Sequence, residues 1–194
     1  MEVNKLNLDE VVQKRRAYRS LEKVEITDEQ VEELAETARL SPSCYNNQPW
    51  NFVFVRDEDK LEEMYEVMSS ANQWTRNSSM IIAVFSKKDD DCVVKDREYH
   101  QFDTGLGTAF LVLKATEMGF VAHPIAGYDE KETKKVLDIP DDHQVITLVI
   151  VGKHSEDIKE ELTEQQAKTE KERPERKSLG DFVHLESYGK KFKA

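Results

Sequence analysis

Arg15, Arg16 and Arg19 set three guanidinium groups within five residues. Guanidinium is a rigid, permanently charged fork of donors that matches the oxygens of a phosphate. Further along, Ser41-Pro42-Ser43-Cys44-Tyr45-Asn46-Asn47-Gln48-Pro49-Trp50 is crowded with side-chain amides and hydroxyls. Asn and Gln each carry a donor and an acceptor, so such a loop suits the edge of a flat heterocycle on which both alternate. Each stretch also has a plainer reading. Cations offset the dipole at a helix end, and amides form turns before a strand. The turn reading accounts for Pro42 and one of Asn46 and Asn47, but not for the whole run.

Weaker candidates follow. Asn72 stands in a polar stretch before an apolar run, where a single Asn is ordinarily a turn residue. His123-Pro124-Ile125-Ala126-Gly127-Tyr128-Asp129 reads as a strand end, a tight turn and a helix cap. Gly127, lacking a Cβ, allows a ligand to approach the backbone closely. Arg173-Pro174-Glu175-Arg176-Lys177 is a late basic cluster inside a charged region. Gly105-Leu106-Gly107 lacks the third glycine and the preceding strand of a dinucleotide fingerprint, and small residues there suit close helix packing. The five histidines show no metal-ligand spacing, so no metal is expected. A nucleophilic Cys44 would need a lowered pKa and a base, and no base is evident.

The elements that must position these groups can be read from periodicity and caps. A first helix spans Leu6 to Lys14. Thr27 and Gln30 form a capping box ahead of Val31, Leu34, Ala35 and Ala38, and Pro42 stops that helix near Leu40 or Ser41. Trp50–Val55 reads as a strand, and Asp57 caps a helix carrying Leu61, Met64, Tyr65 and Met68. Met80–Phe85 is a continuous apolar run, as in a strand covered on both faces. The cluster Asp89-Asp90-Asp91 reads as a solvated turn. A long apolar-rich helix runs from Tyr99 to Met118, with Gly119 just past its end. Asp129 caps a short helix ending near Leu137, and Gln144–Val151 reads as a buried strand. From His154 to Lys177 the chain is almost wholly polar, as a surface helix or an extended arm, before Phe182, Val183, Leu185 and Tyr188 restore apolar character.

The 194 residues suit one domain spanning 1–194, or one protomer of an oligomer. A net charge of −11 argues against nucleic acid and against an anionic membrane surface as partners. There is no membrane-spanning run and no signal-peptide pattern at the N-terminus. Cys44 and Cys92 make no disulfide framework, so a reducing cytoplasm is the simplest expectation.

At Ser41–Trp50 the chain resembles the nitroreductase family of FMN-dependent oxidoreductases, in which this segment commonly reads close to Ser-Pro-Ser-x-x-Asn-x-Gln-Pro-Trp. The resemblance implies an α/β (α+β) three-layer sandwich with a central mixed sheet flanked by helices. It also implies a homodimer with FMN at the interface, each site using both chains, and a charged segment 154–194 that wraps the partner. It places Arg15, Arg16, Ala17, Arg19 and Arg176 (with Lys177 as the alternative) at the FMN phosphate. It lays Ser43, Asn46 and Gln48 along the flavin, with Asn72 at its edge. Pro124, Ile125, Ala126 and Gly127 would lie against the ring, one backbone N–H approaching N5. Ala126 stands where many relatives carry Glu. No side chain is expected to be catalytic. NADH or NADPH would be the reductant and a small molecule such as a nitroaromatic or quinone the acceptor, in ping-pong order. The alternative is an FMN carrier or redox-sensor module without nicotinamide-driven turnover.

Overall fold

The computed structural model describes residues 7–192. Leu6, the expected start of the first helix, lies outside them. Seven helices and seven strands appear among the described residues, in the order α1 (Leu8–Lys14), β1 (Leu21–Glu22), α2 (Asp28–Arg39), β2 (Asn51–Val55), α3 (Glu58–Glu66), β3 (Met80–Ser86), β4 (Val93–Val94), β5 (Arg97–Glu98), α4 (His100–Glu117), β6 (Val121–Ile125), α5 (Glu130–Val136), β7 (Gln144–His154), α6 (Glu164–Lys171) and α7 (Leu179–Phe182).

Local chemistry explains most boundaries. Thr27 accepts from the Gln30 N–H while the Gln30 side chain accepts from the Thr27 N–H, closing the expected box on α2. Asp57 and Asp129 cap α3 and α5 in the same manner, each with one side-chain acceptor. Past the end of α4, Gly119 takes φ +84°, the left-handed conformation that a residue without Cβ adopts at least cost.

The sheet is built on β3 and β7. β3 pairs with β2 on one side and β7 on the other, and β7 also pairs with β6 and β1. Every one of these pairs is antiparallel, where a mixed sheet was expected. The connections explain it. Val55 lies opposite Ile81, and Ile125 opposite Leu148, so the excursions through α3 and α5 return to the end of the sheet they left.

β3 is buried along its whole length, as its unbroken apolar run implies. Its alternate residues feed two cores. Ile81, Ala83 and Phe85 pack with Leu61, Met64, Trp74, Leu148 and Ile150. Met80, Ile82 and Val84 pack with Leu34, Ala38, Leu111, Ala115 and Val149. One face is therefore covered by α3 and its neighbours and the other by α2 and α4, which makes three layers. No described helix is long and apolar enough to cross a membrane.

α6 is a helix inside the charged segment, and it folds back on its own chain. Glu170 at its end is buried, and its carboxylate accepts from the N–H groups of Arg19 (2.9 Å) and Ser20 (3.1 Å). The apolar tail residues Phe182, Leu185 and Tyr188 stay exposed in the protomer.

Candidate functional site

The segment after α1 cannot remain helical, because Arg15 has left helical geometry at φ −55°, ψ 116°. Extended from there, it presents its guanidiniums to the returning C-terminal segment. Arg15, Arg16, Ala17 and Arg19 line a cavity of about 160 Å³ together with Thr169, Arg173, Pro174 and Arg176. Three of its arginines are oriented by oxygens outside any carboxylate. Arg16 donates to the Thr169 carbonyl at 2.6 Å, Arg19 to the Thr169 hydroxyl at 3.3 Å, and Arg173 to the carbonyls of Gln13 and Arg15. Burial lowers the pKa of Arg15, and the facing charges of Arg173 and Arg176 lower it further. That is the mark of positive charge gathered without enough negative charge to balance it. Burial likewise lowers Arg19, with the nearby Glu170 opposing the shift.

From this cavity a chain of contacts leads to the turn after β6. The Arg19 guanidinium lies over the Trp74 ring at 6.0 Å, and Trp74 stacks on His123 at 5.0 Å. Trp74 Nε1 donates to Asn72 Oδ1 at 3.1 Å, and Asn72 Nδ2 donates to the Gly127 carbonyl at 2.9 Å. Both ends of the Asn72 amide are thus engaged in holding the turn. A Cβ on Gly127 would lie 2.6 Å from Asn72 Nδ2 and from Ser69 Oγ, so the turn is fitted to glycine. Pro124 and Ala126 are exposed and Ile125 is buried, so alternate positions of this strand end face solvent.

His123 Nδ1 lies 3.0 Å from the Tyr18 carbonyl, which assigns the ring proton to Nδ1. Burial pushes the His123 pKa down to about 4, and the positive Arg19 and Arg15 add to the depression against the opposing bond to Tyr18. The ring is neutral at neutral pH.

The amide-rich bend forms a separate structure. Tyr45, Asn46 and Gln48 adopt φ of 49°, 60° and 53°, three left-handed residues within four positions. The Ser43 hydroxyl accepts from the Gln48 N–H at 2.9 Å, and Gln48 Nε2 donates to the Asn46 carbonyl at 3.2 Å. The Cys44 N–H donates to the Asp103 carboxylate on α4 at 2.6 Å. Burial raises the Asp103 pKa; the Cys44 N–H opposes this, and neighbouring Asp91 adds to it. Trp50 is half-buried against Gly107, where a Cβ would come within 3.3 Å of the indole. Among the described residues no hydrogen bond joins Ser43, Asn46 or Gln48 to the arginine cavity.

Within the chain the fold thus brings together Arg15, Arg16, Ala17, Arg19 and Arg176, and links them through Trp74 to Asn72 and Gly127. It gathers Ser43, Asn46 and Gln48 elsewhere. Thr169 and Glu170 are residues that the motifs did not mark, and Arg173 was given no role of its own. Arg173 shares the late basic cluster with Arg176, so its signal was present. Glu170 is one carboxylate in a charged run, and nothing in the sequence distinguishes it.

Cys44 and Cys92 are joined by a disulfide with Cα atoms 6.0 Å apart, which overturns the expectation that they form none. The two lie 48 positions apart in sequence, and only the fold brings the hairpin of β4 and β5 to the bend. Cysteine usage therefore no longer points to a reducing compartment.

The model of the nitroreductase family matches residues 12–79 and 68–153 of this chain. MhqN of Bacillus subtilis, named as an NAD(P)H nitroreductase, is 26% identical over 194 residues, covering 81% of this chain and 88% of its own. A solved oxidoreductase containing FMN superposes with a TM-score of 0.80 at 25% identity, over 95% of this chain and 94% of that one. A nitroreductase of Exiguobacterium sibiricum, solved in complex with FMN, superposes with a TM-score of 0.77 at 22% identity, over 93% and 98% of the two chains. The matched segments take in Arg15, Arg16 and Arg19, the amide bend and the turn at Gly127, and the protein belongs to the nitroreductase family.

Proposed function

We propose that the protein is an FMN-dependent NAD(P)H oxidoreductase acting as a homodimer, each site taking its arginine cavity from one chain and its amide bend from the other. The observation that carries the reading is the arginine cavity. Arg15, Arg16, Arg19, Arg173 and Arg176 line it, and Arg15 is electrostatically burdened by Arg173 and Arg176. A phosphomonoester dianion is the complement of such a cluster. FMN, when bound, would supply the redox chemistry between NADH or NADPH and a small acceptor such as a nitroaromatic or quinone, in ping-pong order.

The chain's own residues have limited tasks. The arginines hold the phosphate and fix its orientation. Asn72 and Ser69 hold the Gly127 turn, whose missing Cβ makes room for their side chains. Ser43, Asn46 and Gln48 supply donors and acceptors toward a heterocycle edge. No side chain is required to move a proton, and His123, neutral and engaged with Tyr18, is held out of that work.

A second copy completes this arrangement. α4 leaves Phe102 62% and Phe110 37% exposed, and Leu8 and Val12 of α1 are exposed beside it. Leu8, Phe110 and Leu113 line one apolar cavity of about 570 Å³ on that face.

The test is spectroscopic. The purified protein should be yellow and release FMN on denaturation. Under anaerobic mixing with NADH or NADPH the oxidised flavin band should bleach rapidly. Bound flavin that neither nucleotide bleaches would favour the carrier or sensor reading, and a colourless protein that takes up no FMN would refute both.

A further inference from the structure

The Cys44–Cys92 disulfide has a position that the proposed oxidoreductase chemistry does not use. It joins the amide bend to the hairpin of β4 and β5, and both cysteines are only partly buried. That hairpin has two residues per strand and pairs only with itself, off the main sheet. Apart from the disulfide, the polar ties between bend and hairpin among the described residues both come from Asn47. Its Nδ2 reaches Asp91 Oδ1 at 3.3 Å and Cys92 Sγ at 3.5 Å, both exposed to water.

Two carboxyl groups flank the bridge. Asp103 accepts from the Cys44 N–H, and Asp91 accepts from the Cys92 N–H at 2.7 Å. Burial raises the Asp103 pKa and neighbouring Asp91 adds to that, while the second oxygen of Asp91 is buried without a hydrogen-bond partner. The bend itself holds its three left-handed residues against their intrinsic preference. The covalent bond is the strongest tie between the bend and the hairpin. A cavity of about 560 Å³ spans the junction, lined by Ser43, Cys44 and Tyr45 on one side and Val94 on the other.

We propose that Cys44–Cys92 is a thiol-exchange site, with a small thiol or dithiol as co-reactant, that latches the amide bend against the β4–β5 hairpin. A thiolate of the reductant attacks one sulfur, the S–S bond breaks, and a mixed disulfide forms. A second reductant thiol resolves it. Two electrons and two protons pass to the protein as two cysteine thiols, and the reductant leaves as its own disulfide. Opening frees the bend that carries Ser43, Asn46 and Gln48. Its consequence for flavin retention rests on the FMN reading above, but the latch itself does not.

The experiment uses full-length protein prepared without reductant and equilibrated across a series of reduced and oxidised glutathione. Thiol labelling should count none in the oxidised protein and two in the reduced. Hydrogen exchange should quicken roughly tenfold or more in residues 41–50 and 87–99 on reduction, with β3 and β7 unchanged. The Cys44→Ser, Cys92→Ser double variant should exchange like the reduced protein and show no redox response. FMN release should quicken on reduction of the wild type. Two free thiols in air-equilibrated protein, a bridge that persists in fully reduced glutathione, or opening without change in exchange would each overturn the proposal. A protein that opens as described yet never binds FMN would overturn the cofactor reading and leave the latch standing.

Discussion

Asn72, singled out for ligand contact, also has a structural task. Its amide joins Trp74 to the Gly127 carbonyl and so fixes the turn. Gly127→Ala forces a Cβ to within 2.6 Å of two polar side-chain atoms. We expect a loss of about 1–3 kcal/mol in urea unfolding, in the range of other overpacked sites. Stability equal to wild type would mean that Ser69 and Asn72 swing away freely. His123 offers a second test. Its folded pKa of about 4 lies below the ordinary value of 6.5, so the folded state favours the neutral ring. Its contribution to stability is present in full above pH 6.5 and is lost as pH falls toward 4, at most about 3 kcal/mol. NMR should find no protonation of this ring between about pH 5.5 and 8. A midpoint near 6.5 would show that the ring is not desolvated.

At the scale of elements, what was legible is what local chemistry decides. The boxes and caps at Thr27, Asp57 and Asp129 lie within one turn of the helices they start. The Met80–Phe85 run announces a strand covered on both faces. β6 was harder, because Pro124 sits inside it and proline argues for a turn. It is accommodated as an exposed residue on a short strand whose ladder is carried by β7. α6 carries no apolar stripe to reveal that it docks. Its anchor is the buried Glu170 carboxylate, and polarity patterns cannot mark a charged group that is buried because backbone N–H groups satisfy it. Glu170→Ala leaves two N–H groups without their acceptor, at a cost of about 1–3 kcal/mol. Limited proteolysis should then cut within α6. Resistance equal to wild type would place the anchor elsewhere.

For the whole molecule, the resemblance at Ser41–Trp50 anticipated the sandwich and the family, while the separation of bend and cavity within one protomer had no sequence signature. Which surfaces face each other is a property of packing and assembly. The net charge of −11 makes the arginine cavity a local exception, and such a cavity concentrates the field on a small anion. Phe102 and Phe110 on α4 are exposed, and in the proposed dimer they would meet a second copy. Phe110→Asp should leave the protomer's far-UV circular dichroism unchanged, shift sedimentation from dimer to monomer and abolish FMN retention. A monomer that still held FMN tightly would place both halves of the site in one chain.

The proposed site grips the phosphate of FMN with clustered guanidiniums, and riboflavin is FMN without that phosphate. Titrating the stripped protein with each, by flavin fluorescence, separates phosphate binding from ring binding. Charge-assisted contacts of this kind are worth about 1.5–3 kcal/mol apiece, so FMN should bind at least roughly a hundredfold more tightly than riboflavin. The Arg15→Ala, Arg19→Ala double variant should remove most of that difference by weakening FMN alone. Equal affinities for FMN and riboflavin in the wild-type protein would contradict the account.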